Sequence, residues 1–168
     1  MSDEKMIKMY RRVYRNPKLV VLLKVSGLIS VILVALAFAY ALFILAFFGE
    51  HWRAIELLAL AGIPFGAVSI MRRVIDLKRP YEVFLIDELA HLKDRSRSGR
   101  SFPSRHVFSA FLIGTLWGMY SSPICAAVIL LGVLLAVERV LLGIHFIKDV
   151  ISGAIIGILS GLIGILIW

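Results

Sequence analysis

Long apolar runs constrain the fold of this chain more than any other feature of its sequence. Five stretches rich in aliphatic side chains carry few charges, over residues 25–48, 54–71, 107–120, 124–142 and 146–168. A helix needs about 20 predominantly apolar residues to cross a bilayer. Hydrophobic residues make up 60% of the chain, against roughly 45–50% in soluble domains. The sequence therefore predicts an all-α integral membrane bundle of five to six helices, in a single domain over residues 1–168.

The segment before the first run, residues 1–24, mixes apolar and basic side chains. Its basic residues include Lys5, Lys8, Arg11, Arg12, Arg15 and Lys18. This pattern predicts a basic amphipathic helix that lies on the membrane surface, with Pro17 as its end. The whole chain has 19 Lys and Arg against 11 Asp and Glu. We expect the partners of this excess to be anionic lipid headgroups rather than nucleic acid, because no nucleic-acid-binding module accompanies it.

Residues 72–106 are the sizeable polar region between the runs, and we expect them to form an active-site loop. Residues 83–92 are a candidate interfacial helix within it, and residues 94–100 are a candidate exposed segment. The second span ends at this loop, the third begins there, and the fourth returns the chain to the same surface. Charged clusters at 72–80, 103–106 and 139–149 can therefore meet on one side of the bilayer. Ionisable side chains beside spanning helices are costly, so such a set indicates function.

His145 and Asp149 stand four residues apart at the start of the last run, so a helix there projects both from one face. A carboxylate in that position can fix the imidazole tautomer and leave the other ring nitrogen free to attack or to accept a proton. Arg139 adds a guanidinium group, which suits phosphate oxygens. The alternative for the pair is that both side chains only reach toward water at a helix end.

Ser104 and His106 stand where the third run begins, after a proline. Proline and serine are ordinary at a helix start, so capping alone can explain Ser104. A helix start is also an anion site, and His106 beside it can donate the proton that a departing alkoxide needs. Arg72 and Arg79 follow the second run, where the alternative is a positive flank that ends a spanning helix. Pro80 restricts the backbone of Arg79 and can aim its guanidinium group.

These residues resemble the signatures of the type 2 phosphatidic acid phosphatase superfamily, which are KxxxxxxRP, PSGH and SRxxxxxHxxxD in that order. The counterparts here are RxxxxxxRP at 72–80, PSRH at 103–106 and ERxxxxxHxxxD at 138–149. The resemblance spans roughly the C-terminal two thirds of the chain. Ordered motifs with matched spacing in a membrane context make it specific.

The resemblance implies a role for each matched residue. His145 would be the nucleophile that forms a phosphohistidine, Asp149 its orienting partner, and His106 the acid that protonates the leaving group. The phosphoryl oxygens would be held by Arg72, Arg79, Ser104 and Arg139, with Arg105 as a further candidate. Members of the superfamily need neither a metal nor another cofactor, and we expect neither here.

Three matched positions depart from the superfamily signatures. Arg72 replaces a lysine, Arg105 replaces a glycine, and Glu138 replaces a serine. Arg105 either contacts a headgroup or second phosphate or points to solvent. We interpret Glu138 as a candidate partner of Arg139, which would weaken the contact of that arginine with phosphate. The superfamily bundle also has six spans, against five apolar runs here.

The predicted function is hydrolysis of a phosphate ester or diphosphate of a membrane lipid. Candidate substrates are phosphatidic acid, phosphatidylglycerol phosphate and undecaprenyl diphosphate. A lipid A phosphatase and a lipid phosphotransferase are alternatives within the superfamily. A lipid transporter is an alternative of another class, disfavoured because the runs hold few ionisable residues at mid-bilayer depth. A noncatalytic scaffold is disfavoured because both histidines and Asp149 are present.

Charge and resemblance predict different sides of the membrane for the active-site loop. The excess of basic residues places both the N-terminus and the loop in the cytoplasm. The resemblance implies a bacterial cytoplasmic membrane protein whose site faces away from the cytoplasm. We follow the resemblance, because basic residues that bind phosphate do not indicate how the chain is oriented in the membrane.

Overall fold

Helices make up the regular structure of the described part of the chain. The computed structural model describes residues 3–84, 86–90 and 99–168. Its helices are α1 (Asp3–Tyr14), α2 (Pro17–Phe47), α3 (His51–Ile75), α4 (Pro80–Val83), α5 (Asp87–Ala90), α6 (Arg105–Trp117), α7 (Ser122–Leu141) and α8 (Ile147–Ile167). These described residues contain no strand, and the predicted all-α fold is confirmed.

Four segments within the described ranges are long and apolar enough to cross a membrane. They are Pro17–Phe47, His51–Val83, Ser122–Leu141 and Ile147–Ile167. Their outward faces expose large apolar side chains, among them Leu22, Ile63 and Leu166. So much exposed apolar surface on helices of this length is stable in lipid rather than in water. The chain is therefore an integral membrane protein.

Helix α6 lies at the centre of the bundle and is shorter than the span predicted at 107–120. It has 13 residues, whereas a crossing takes about 20. It contacts α2, α3, α7 and α8, and its buried residues include Phe108, Leu112 and Leu116. The apolar composition of α6 thus comes from enclosure by other helices, which an apolar run alone does not distinguish from exposure to lipid.

Glycines on α8 let that helix lie directly against α6. A Cβ atom at Gly153 would lie 2.7 Å from the carbonyl oxygen of Ser104, and one at Gly157 would lie 2.5 Å from that of Phe108. Small residues permit such close approach between helices in a membrane. The first turns of α6 and α8 consequently lie side by side, and the amide of Ser104 donates to the carbonyl oxygen of Asp149 at 2.9 Å.

The N-terminal helix ends just before Pro17, close to the end that the sequence predicts, but the proline also begins the next helix. Helix α1 ends at Tyr14, and Pro17 is the first residue of α2. Proline fits the first turn of a helix because an amide there has no carbonyl to donate to. The side-chain oxygen of Asn16 caps the same turn by accepting from the amide of Leu19 at 3.2 Å. Helix α2 thus begins well before the first predicted span.

The apolar face of α1 is covered by protein. Met6 and Tyr10 pack in one buried cluster with Phe84 and Leu89. Close to the end of α1, the hydroxyl of Tyr14 donates to the carbonyl oxygen of Leu142 at 3.1 Å. Helix α1 therefore lies over the polar loop and the turn that follows α7, on the same side of the bundle as both.

Two short helices, α4 and α5, stand where one interfacial helix was expected at 83–92. Helix α4 ends because the backbone of Phe84 is extended. The Phe84 ring is buried and contacts the rings of Tyr10 and Phe146, with centroids 6.0 and 6.1 Å away. Tertiary packing therefore breaks the helix. Residues 91–98, with most of the segment expected at 94–100, lie outside the described residues.

Replacing Gly157 with alanine should destabilise the protein, because the new methyl group would meet backbone atoms of α6. We expect a loss of about 1–3 kcal/mol from overpacking, partly offset by about 0.5–1 kcal/mol from the better helix propensity of alanine. Thermal unfolding of the purified protein in detergent measures the difference. Gly62→Ala in α3 is the matched control, since no atom lies within 4 Å of its added Cβ. Equal melting temperatures for the two variants would contradict the packing account.

Candidate active site

His145 lies in the turn between α7 and α8, directly beside Asp149 and Ser101. Its Nδ1 is 3.6 Å from Oδ2 of Asp149 and 3.5 Å from Oγ of Ser101. The same Oδ2 accepts hydrogen bonds from Oγ of Ser101 and, at 3.0 Å, from the amide of Phe146. All three side chains are buried, with His145 only 2% exposed. Asp149 is thus fixed by the first turn of α8, and it leaves Nε2 on the other edge of the His145 ring for a substrate.

Burial is the largest influence on the charge of His145. It lowers the pKa of the imidazole from 6.5 to about 4, although a contact with Asp149 acts in the opposite direction. The positive charges of Arg79 and Arg72 lower the same pKa further. His145 is therefore neutral at physiological pH, which is the form that has a lone pair available for attack.

The start of α6 brings Ser104 and His106 to the same site. Ser104 is fully buried at the N-cap, and its Oγ has no hydrogen-bond partner among the described residues. A free hydroxyl beside the open amides of a helix start suits an anion such as phosphate. The His106 side chain reaches the surface, but partial burial, followed by the charges of Arg139 and His145, lowers the pKa of its ring to about 3. The second and third motifs therefore meet, as the sequence predicts.

Arg72 and Arg79 hold the end of the polar loop against the bundle. The two terminal nitrogens of Arg72 donate to the carbonyl oxygens of Pro103 and Arg100. Nε of Arg79 donates to the carbonyl oxygen of Gly99 at 3.0 Å. Arg72 is buried and Arg79 is half-buried, and guanidinium groups bound to carbonyl oxygens in this way position the backbone, a task that the sequence analysis did not assign to them. Phosphate binding by these two arginines stays a prediction.

The three departures from the superfamily signatures have different surroundings. Arg72 is buried, as described above, whereas Arg105 is exposed with its guanidinium carbon 5.7 Å from the centre of the Phe65 ring, a cation–π contact. Glu138 turns toward α2, where its Oε1 accepts a hydrogen bond from Oγ of Ser26 at 2.6 Å. Arg139 is half-buried at the end of α7. Phosphate binding by Arg105 and Arg139 stays a prediction.

Two residues of the site were missed in the sequence analysis. Ser101 lies 48 residues before Asp149 along the chain, and no local pattern indicates that they meet. Glu82 accepts from the amide of Arg79 at 2.8 Å and from that of Gly99 at 3.0 Å. The spacing of Glu82 three residues after Arg79 is that of a capping box, which is a signal that sequence analysis can use.

A neutral imidazole beside guanidinium groups suits attack on a phosphate ester, since the charge of the ester is met by the arginines. The place of this site at the ends of spanning helices brings it to the level of lipid headgroups. Fold and site therefore suit a membrane protein that acts on phosphorylated lipids. A sequence model of the PAP2 superfamily matches residues 67–168, and the chain belongs to this superfamily.

Two solved structures resemble the whole chain. LpxE of Aquifex aeolicus is 27% identical, with a TM-score of 0.62, and the match covers 95% of this chain and 94% of that one. A PAP2-type phosphatidylglycerolphosphate phosphatase of Bacillus subtilis is 19% identical, with a TM-score of 0.65, over 98% of this chain and 84% of that one. The second likeness shows a shared fold. No curated protein sequence matches the chain.

The lowered pKa of His145 predicts that its ring stays neutral well below pH 6.5. Burial lowers this pKa because the folded protein favours the uncharged ring, and protonation of the ring then requires a pH near 4. We expect the ring ¹⁵N shifts of His145, in histidine-labelled protein, to change little between about pH 8 and about pH 5.5. The His145→Gln variant assigns the signal by its loss. A titration midpoint near the usual value would contradict this prediction.

Proposed function

We propose that this protein hydrolyses the terminal phosphate of a lipid monophosphate or diphosphate at the membrane surface. Candidate substrates are phosphatidic acid, phosphatidylglycerol phosphate and undecaprenyl diphosphate. One observation carries the proposal: a buried His145 contacts Asp149 and Ser101, next to an exposed His106. The buried ring suits a nucleophile, and the exposed ring suits an acid that exchanges protons with water.

In the first step, Nε2 of His145 attacks phosphorus, and the bond from phosphorus to the lipid oxygen breaks. The electron pair of that bond goes to the lipid oxygen, which takes a proton from His106. Asp149 keeps the proton on Nδ1 and stabilises the positive charge of the phosphorylated ring. The other phosphoryl oxygens are held by Arg72, Arg79, Ser104, Arg105 and Arg139.

In the second step, a water molecule attacks the phosphohistidine. His106, neutral after the first step, accepts a proton from this water as the bond between nitrogen and phosphorus breaks. Inorganic phosphate leaves, and both histidines return to their starting states. The arginines supply the positive charge that the transferred group needs, and we propose that the reaction requires no metal or other cofactor. Within the described residues, His, Cys, Asp and Glu form no group of three or more that could hold a metal ion.

Alternatives of the same chemistry share the first step. A lipid A phosphatase differs in substrate alone, and a phosphotransferase passes the phosphoryl group to a second lipid instead of to water. The positions of the buried ionisable groups disfavour a transporter or a scaffold. Apart from tyrosines, in the described part of the chain these are Arg72, Glu138, His145 and Asp149, all near the helix ends on one side of the bundle rather than along a path across it.

We also propose that the site faces away from the cytoplasm, in a bacterial cytoplasmic membrane, as the superfamily resemblance implies. Helix α1 contacts the turn after α7 through the hydrogen bond from Tyr14 to Leu142. The N-terminus and the site therefore lie on the same side of the bundle, and the basic residues of α1 share that side.

The purified protein in detergent should release inorganic phosphate from at least one of these lipids. We expect His145→Ala to lower kcat by about 10³-fold or more, because no nucleophile remains. His106→Ala should cost about 10²–10⁴-fold on a lipid substrate. The same His106→Ala variant should lose much less of its kcat on an aryl phosphate, since an aryl leaving group departs without a proton. Colorimetric phosphate release measures all of these rates.

His51→Ala is the matched control for both variants. His51 is exposed at the first residue of α3, at the opposite end of that helix from Arg72, so its loss should leave the rates unchanged. Activity should also survive a chelator. Full activity in His145→Ala would end the proposed mechanism, and loss of activity with chelator would overturn the metal-independent reaction.

Reporter fusions test the proposed orientation. Lys93 lies outside the described residues, in the loop predicted at 72–106. A reporter inserted there and a reporter at the N-terminus should both give an extracytoplasmic signal, because α1 and the site share one side. A cytoplasmic signal at Lys93 would overturn the orientation, and opposite signals at the two points would contradict the contact of α1 with the turn after α7.

A further inference from the structure

A cavity of about 90 Å³ adjoins the site between α1, α2 and the end of α7. It is lined by Lys24 and Gly27 of α2, by Glu138 and Arg139 of α7 and by Tyr14 of α1, with apolar neighbours. A cavity of this size holds several water molecules or a small polar group. Its wall includes three ionisable groups other than tyrosine, so a polar group can find partners there.

Glu138 contributes a buried carboxylate to this cavity, and one of its oxygens lacks a hydrogen-bond donor among the described residues. The residue is 1% exposed. Its Oε1 accepts from Ser26 at 2.6 Å, whereas its Oε2 has no hydrogen-bond donor among the described residues. A buried carboxylate oxygen without a donor is costly, so a hydrogen-bond donor that enters the cavity gains a strong contact.

Gly27 of α2 leaves room for the carboxylate of Glu138. A Cβ atom at Gly27 would lie 2.7 Å from Oε2 of Glu138, so a larger residue would displace the side chain. Lys24, one turn earlier on α2, is exposed at the edge of the same cavity. Its charge offsets that of Glu138 and lets an anionic substrate approach.

Arg139 connects the cavity to the reaction. It lines the cavity, and it is one of the residues proposed to hold the transferred phosphate. A group that occupies the cavity therefore lies beside both Glu138 and Arg139. Phosphatidic acid and polyprenyl diphosphates carry no hydroxyl group near their phosphates, whereas glycerol and sugar headgroups do.

We propose that this cavity is a subsite for hydroxyl groups of the lipid headgroup, in which Oε2 of Glu138 accepts a hydrogen bond from a hydroxyl close to the scissile phosphate. The subsite rests on the proposed function and narrows its substrate class to lipid phosphates with glycerol or sugar headgroups. Glu138 stands where the superfamily signature has serine, so this preference belongs to this chain rather than to the superfamily.

The test compares phosphatidylglycerol phosphate with an analogue in which hydrogen replaces the free hydroxyl of its headgroup glycerol. The wild type should prefer the hydroxylated lipid in kcat/KM by roughly 10–100-fold, which is the effect of one hydrogen bond to a charged acceptor. A glycolipid sugar phosphate, assayed in parallel with its deoxy analogue, shows whether a sugar or a glycerol is the better source of the hydroxyl.

Two variants assign the preference to Glu138. Glu138→Gln keeps the shape of the side chain and removes its charge, and Glu138→Ser introduces the residue of the superfamily signature. Both should lower the preference by about tenfold. Glu56→Gln is the matched control, because Glu56 is exposed on α3, and it should keep the preference of the wild type.

The outcomes separate the subsite from the proposed function. A wild type that hydrolyses each lipid and its deoxy analogue equally well would overturn the subsite and leave the phosphatase intact. Glu138 variants that lose activity equally on both members of a pair would also overturn it, since Glu138 would then only position Arg139. A wild type without activity on any lipid phosphate would overturn the proposed function, and the subsite with it.

Discussion

Asp149 is the residue on which the geometry of the site depends. Its side chain accepts hydrogen bonds from Ser101 and from the amide of Phe146, and it faces Nδ1 of His145. Its backbone carbonyl accepts from the amide of Ser104. One residue thus joins the polar loop, the start of α6 and the turn after α7. Donors that replace water stabilise a buried carboxylate, and here they all reach Oδ2, since Oδ1 has no donor among the described residues. The contacts of Oδ2 therefore hold this part of the fold together beside His145.

The close packing of α6 and α8 makes that junction possible. The hydrogen bond from Ser104 to Asp149 joins two backbones, and backbones approach this closely only where side chains between them are small. Gly153 meets this condition at the carbonyl group of Ser104. The glycine face of α8 therefore contributes to chemistry although it carries no reactive group, because it sets the distance between two motifs that lie far apart along the chain.

Local patterns in the sequence predicted the parts of the structure that depend on local geometry. The apolar runs located α2, α3, α7 and α8. The spacing of His145 and Asp149 predicted their contact but not its cause, because His145 lies in the turn before the extended N-cap Phe146 and only Asp149 lies on α8. Contacts between distant segments left no such pattern. These contacts between distant segments include the hydrogen bond from Ser101 to Asp149 and the enclosure of α6 by other helices. The position of α1 against the turn after α7 is another.

The two histidines of the proposed mechanism differ in their contact with water. A nucleophile must be neutral, and burial keeps His145 neutral by raising the cost of its charged form. A general acid must regain its proton after each turnover, which requires contact with water, and His106 is exposed at the first turn of α6. Partial burial and the charges of Arg139 and His145 lower the pKa of His106 to about 3, so the negative charge of a bound phosphate would be needed to favour the protonated ring of the proposed acid. The two rings therefore differ in their access to water, since His145 lies beneath the polar loop whereas His106 is exposed at the start of α6.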